Sequence, residues 1–114
     1  MRLSLAKKLQ IRTGQCIRLI NSPQGFKVDA LVSNEGEAIL LFAPDSKYLK
    51  AYGSAVVDAA RHDLLAWIAY PKAGKLNTDL NRDKLSELLK QHGIQPVRLV
   101  SLDDTWSALR FRPG

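Results

Sequence analysis

Two continuously apolar runs, Ala38 to Ala43 and Leu64 to Tyr70, flank a stretch in which Tyr48, Leu49, Tyr52, Ala55, Val56 and Ala59 recur at helical spacing. A strand with no polar member needs apolar cover on both faces, the situation of strands in a parallel sheet. The periodic stretch, Ser46 to Arg61, is then the helical crossover that returns the chain to start the second strand alongside the first. Buried strand, amphipathic helix and buried strand in succession commit the chain to an α/β fold. With 114 residues there is room for one core, so residues 1–114 read as a single domain.

The flanking segments extend this pattern. Leu3 to Gln10 reads as a short helix N-capped by Ser4, with Leu5 and Leu9 on one face. Cys16 to Ile20 reads as a strand that stops at the turn formers Asn21-Ser22-Pro23-Gln24-Gly25. Phe26 to Glu37 supports two readings: Phe26, Val28, Ala30 and Val32 alternate like a strand, and Ala30-Leu31-Val32 serves equally in a helical turn. Further on, Asn81 caps a helix with Asp83 in its first turn, Leu85, Leu88 and Leu89 on its inner face and Gly93 as its stop. Val97 to Leu102 and Trp106 to Arg112 form strands joined by Asp103-Asp104-Thr105, short enough to force an antiparallel hairpin. The expectation is a three-layer, Rossmann-like domain with a mostly parallel sheet of about five strands, closed by a C-terminal antiparallel hairpin.

The formal net charge is +6, and its distribution matters more than its size. Up to Lys27 there are six basic residues (Arg2, Lys7, Lys8, Arg12, Arg18 and Lys27) and no acidic one, which leaves the rest of the chain balanced. A basic N-terminal helix offers Lys7, Lys8 and Arg12 to nucleic acid or to an acidic partner. Lysine and arginine are also the default exterior residues, however, and no aromatic residue precedes Phe26 to stack on bases. Nucleic acid is therefore the less favoured partner. No apolar run reaches the length of a membrane span, and no signal-peptide core follows the basic N-terminus. The single cysteine, Cys16, lies in an apolar run and reads as a buried thiol, which with these features points to the cytoplasm.

In a sheet of this kind the parallel strands all end at one edge, where ligands of open α/β folds bind. That edge collects Asn21, Ser22, Lys72, Thr78, Asp79, Asn81, Asp103 and Asp104, which are the candidate ligand-binding residues. A lysine at a strand end facing the exposed N–H groups of a helix start suits an anion. The same residues also suit turns and caps. In the last strand, alternation puts Trp106, Ala108, Arg110 and Arg112 on one face, where Arg110 is expected to pair with Asp103 or Asp104 or Trp106 to stack on a guanidinium. His62 and His92 stand near helix C-termini without cysteine or histidine company at ligand spacing, so no metal site is expected.

The order of elements, with its final hairpin, resembles a trimmed class I S-adenosylmethionine-dependent methyltransferase fold. The segments AKKL, YPK, TDLNRD and DDTWSALRFRP are similar to those of a small uncharacterised bacterial family of domains of unknown function. The resemblance implies a methyltransferase-like scaffold without an established activity, and a sheet smaller than the family's. Methyl-donor sites use a glycine-rich turn after the first strand and an acidic residue after the second. Here the turn is NSPQG, and the first acidic residues beyond it, Asp29 and Glu35, fall in the segment of open structure. No S-adenosylmethionine or other cofactor is therefore expected. The favoured expectation is a non-catalytic module for a small anion or a protein partner. The alternatives are binding of nucleic acid or an acidic partner through the basic quarter, and an enzyme of unknown reaction centred on Lys72, Asp79 and Asp103.

Overall fold

The two apolar runs lie side by side at the centre of a six-stranded sheet in the computed structural model, which describes residues 4–114. The strands are β1 (Cys16–Ile20), β2 (Leu31–Val32), β3 (Ala38–Phe42), β4 (Ala66–Pro71), β5 (Ile94–Ser101) and β6 (Trp106–Pro113). Their spatial order is β2-β1-β3-β4-β6-β5. The first four run parallel, while β6 runs antiparallel to both its neighbours, β4 and β5. Every residue of β3 and β4 is buried, as strands with apolar cover on both faces require.

Four helices accompany the sheet: α1 (Leu5–Lys8), α2 (Ser46–Tyr52), α3 (Ser54–Arg61) and α4 (Arg82–Lys90). The connections from β3 to β4 and from β4 to β5 advance in the same direction across the sheet, so a shared hand places α2, α3 and α4 on one face. There Val56, Ala60, Leu85 and Leu89 pack on Ile39, Leu41, Ile68, Leu109 and Phe111. The step from β1 to β2 goes the other way, and its connection lies on the opposite face. Phe26, Val28 and Ala30 of that connection, with Leu5 and Leu9 from the N-terminal segment, cover Ile17, Leu40, Phe42, Trp67 and Ala108. The Trp67 indole N–H donates to the Leu9 carbonyl at 2.9 Å, fastening the N-terminal segment to the sheet.

Several expectations change. There are six strands instead of about five, because the open segment 26–37 contains β2. Phe26, Val28 and Ala30 do alternate inward, but as an irregular layer over the sheet. The single helix expected over Ser46 to Arg61 is two, α2 and α3, meeting at Gly53. At Gly53 a side chain would stand 2.6 Å from the Leu49 carbonyl oxygen, so the junction needs a residue without one. Helix α1 is shorter than expected, and Leu3 and Arg2 lie outside the described residues. Strand β5 begins three residues early, at Ile94, and passes through Pro96 at a break in register between Pro96 and Arg98. Cys16, expected to be a buried thiol, is only partly buried, because its neighbour on that side is the two-residue edge strand β2. Among the described residues no helix is long and apolar enough to cross a membrane.

Candidate functional site

The C-terminal edge of the parallel strands assembles from four chain segments: Asn21 after β1, Pro44-Asp45 after β3, Lys72 after β4 and Asp103 to Thr105 after β5. Two helices, α2 and α4, begin at this edge. Their first-turn N–H groups would suit an anion if they were free. Three of them are already engaged by side chains. Asp45 accepts from the Tyr48 amide at 2.8 Å, and Asn81 accepts from the Lys84 amide at 2.8 Å. Asp79 takes the Ser46 amide at 2.8 Å through one oxygen; through the other it accepts from the Ser46 hydroxyl and from Lys84 Nζ, the latter at 3.1 Å. The Ser46 hydroxyl above all, then its amide and Lys84, hold the Asp79 carboxyl far below the usual carboxylate range. Asp79 therefore ties the loop before α4 to the start of α2.

The other candidates are similarly placed. The Thr78 hydroxyl accepts from the Leu80 amide at 3.0 Å, within the same turn. The Lys72 amide donates to the Thr105 carbonyl at 2.7 Å, and its ammonium to the Ser101 hydroxyl at 2.7 Å. Asp103 accepts from the amides of Thr105 and Trp106 at 2.8 and 2.7 Å, an Asx turn that shapes the hairpin. Asp104 is exposed beside it. Asn21 adopts the left-handed region at φ 59° and donates to the Phe42 carbonyl at 3.0 Å, while Ser22 is exposed on the loop. Lys72 and Asp103 thus brace the hairpin, and Asp79 stands in a different cluster with Ser46 and Lys84. Tyr70, two residues before Lys72, is buried, and burial pushes its phenol up against the opposing pull of Arg82.

The loop that a methyl donor would meet has its own commitments. Gly25, at φ +84°, has open space around it, with no backbone closely approached. Asp29 accepts from the Ala6 amide at 3.0 Å, and this bond first, with the Ser4 hydroxyl second, lowers its carboxyl below the ordinary value. Glu35 is exposed in the turn after β2.

The basic N-terminal residues divide. Lys7 and Arg12 line a groove of about 480 Å³ together with Asp29, while Lys8 turns away and donates to the Ser101 carbonyl at 3.4 Å. A larger groove of about 690 Å³ runs between α2–α3 and α4 over Leu49, Val57, Leu88 and Leu89, with Lys50 and Arg61 among its other lining residues. None of the eight edge candidates lines it. His62 and His92 are exposed; His62 Nδ1 lies 2.8 Å from the Asp58 carbonyl. Among the described residues no three His, Cys, Asp or Glu side chains gather as a metal site.

The expected partners of the last strand are corrected. Arg110 meets neither Asp103 nor Asp104; its guanidinium donates to Gln10 at 2.6 Å, because the hairpin turn lies at the opposite end of β6. Arg112 forms the two-bond ion pair, with Asp63 at 2.9 and 3.0 Å. Trp106 packs edge-on against Phe42, with ring centroids 5.1 Å apart, and among the described residues no guanidinium stacks on it. Sequence reasoning missed Arg98, which stands directly across from Arg110 on β5. Two arginines of opposite strands carry no sign in sequence that they will be neighbours. Comparison with models of protein families, with curated proteins and with solved structures gives no match.

Proposed function

We propose that this chain is a non-catalytic binding module, built on a methyltransferase-like shell that no longer holds a methyl donor, and that its partner is a protein. One observation carries the reading: the charged, amide and hydroxyl groups best placed at the C-terminal sheet edge serve as caps and braces. Asp79, Asn81, Thr78, Asp103 and Lys72 all bond groups of the chain itself. A small anion arriving at α2 would meet two carboxylates, Asp45 and Asp79, where it needs bare N–H groups. A catalytic trio of Lys72, Asp79 and Asp103 is split between two clusters, Asp79 with Ser46 and Lys84, and Lys72 and Asp103 at the hairpin, where each already bonds groups of the chain.

The scaffold reading draws on the reversed strand β6, inserted between β4 and β5, which matches the final hairpin of the methyltransferase-like arrangement. The loss of methyl-donor binding draws on the open surroundings of Gly25, the engagement of Asp29 with α1, and a second strand only two residues long. A thermal-shift series with S-adenosylmethionine, adenine nucleotides and inorganic phosphate tests the proposal, since a ligand selective for the native state raises its melting temperature by mass action. No shift is expected with any of the three. A dose-dependent rise with S-adenosylmethionine or a nucleotide would sink the reading.

A further inference from the structure

Among the described residues strand β5 is an edge strand, with β6 as its one neighbour. The pairing between them fixes which of its backbone groups are free. The Leu102 amide donates to the Trp106 carbonyl at 3.0 Å, and the register runs unbroken from Arg98↔Arg110 to Ser101↔Ser107. Bonding alternates along an antiparallel ladder, so Arg98 and Val100 also turn their N–H and C=O groups toward β6, while Leu99 and Ser101 turn theirs outward. Lys8 already takes the outward Ser101 carbonyl. Among the described residues nothing takes the Leu99 N–H and C=O or the Ser101 N–H, which face outward along an eight-residue edge.

The side chains of this edge are sorted by face. Leu99 stands opposite Leu109 on the helical face of the sheet, yet is 47% exposed, as is Val97 before it. On the other face Arg98 stands directly across from Arg110. Like charges in that position repel, and among the described residues neither forms an ion pair, while Arg110 Nε is buried without a partner. Arg112 is neutralised by Asp63, and Lys8 adds a further cation where β5 ends. An edge that is cationic on one face, apolar on the other and has free backbone groups between them is complementary to a strand of opposite chemistry. A second copy does not supply it, because the strand Ile94–Ser101 has one cation and no acidic residue, so self-pairing would bring arginine toward arginine.

We infer that β5 is a docking strand, which takes an extended segment of another protein whose side chains alternate acidic and apolar, acidic over Arg98 and apolar over Leu99. The inference rests on the partner-binding reading above and names the surface and the chemistry of the partner. Glutamates of the incoming strand supply a countercharge for Arg98, and its backbone completes the open bonds of Leu99 and Ser101.

The probe is a capped eight-residue peptide alternating valine and glutamate, with valine–lysine as its counterpart, added to the full chain. Amide hydrogen exchange and fluorescence anisotropy of the labelled peptides give the two readouts. The glutamate peptide is expected to bind, to slow exchange at Leu99 and Ser101 while leaving Arg98 and Val100 unchanged, and to weaken with salt. Arg98→Ala is expected to weaken it by roughly three- to fivefold, the scale of one cross-strand charge pair. Arg98→Glu should turn the preference to the lysine peptide, and Arg98 is exposed enough for both variants to fold. Equal binding of the two peptides, unchanged affinity in Arg98→Ala, or no protection of Leu99 would overturn the strand-docking inference alone. Self-association that is lost in Leu99→Lys would overturn it in favour of a second copy. Stabilisation by S-adenosylmethionine or a nucleotide would instead remove the reading on which it rests.

Discussion

Asp79 shows how a residue that looks functional can be structural. It lies in the TDLNRD segment that attracts attention in the sequence, and its partner Ser46 is 33 positions away, so nothing local announces the bond. Asn81, two residues on, caps the helix that follows it, a bond to the third residue ahead, and that role was readable from spacing alone. The depressed Asp79 carboxyl has a consequence for stability. A group whose folded pKa lies below its unfolded value contributes stability above the unfolded value, and that contribution is lost as pH falls. From about pH 4 downward, near the ordinary aspartate value, the wild-type chain should therefore lose a contribution that Asp79→Asn never had. Melting temperatures of the two proteins should differ most near neutrality and converge as the solution is acidified. A gap that widens below pH 4 would contradict the assignment. Asp63, lowered mainly by its bond to Arg112, acts in the same direction and steepens the acid limb of both proteins alike.

Burial decided which elements the sequence revealed. Strands β3 and β4 are apolar throughout because both faces are covered, and α4 has a cap, a stripe and a stop in order. Strand β2 was hidden for the opposite reason. Leu31 and Val32 are 58% and 56% exposed, so the alternation of Phe26, Val28, Ala30 and Val32 does not single them out; the strand exists because their backbone pairs with Cys16 and Ile17. What holds it there is the following turn, where Gly36 lies against β1. A Cβ at that position would stand 2.8 Å from the Cys16 carbonyl oxygen and 2.9 Å from the Arg18 nitrogen, backbone atoms that have little freedom to yield. Gly36→Ala is expected to cost about 1–3 kcal/mol, the usual range for forced overpacking, in urea denaturation. Exchange at Leu31 and Val32 should rise before any other strand responds. An unchanged midpoint would show that the loop moves aside freely. The break between α2 and α3 escaped notice because the apolar spacing continues across Gly53 as though the helix did.

At the scale of the molecule, the sheet is strongest where it is covered twice and weakest at its margins. Amides of β3 and β4 should exchange only through global unfolding, those of β2 through local opening, and the outward amides of β5 with little protection, in native-state hydrogen exchange. Early exchange at Leu40 or Ile68 would contradict this ranking. The α/β class and the antiparallel end were legible in the order of elements. The one-sided placement of α2, α3 and α4, and the cover of the other face by α1 and an irregular connection, were not, since both depend on the direction in which each crossover moves across the sheet. The position of β6 between β4 and β5 has a bearing on how the chain is made. Synthesis proceeds from the N-terminus, so β4 leaves the ribosome with one side unpaired, and β5 follows before the strand that must separate the two exists. Pairing β4 directly with β5 would be a kinetic trap on the way to this fold, and the Asp103-Asp104-Thr105 turn counters it by bringing β6 back to β5 as soon as Trp106 to Pro113 have emerged.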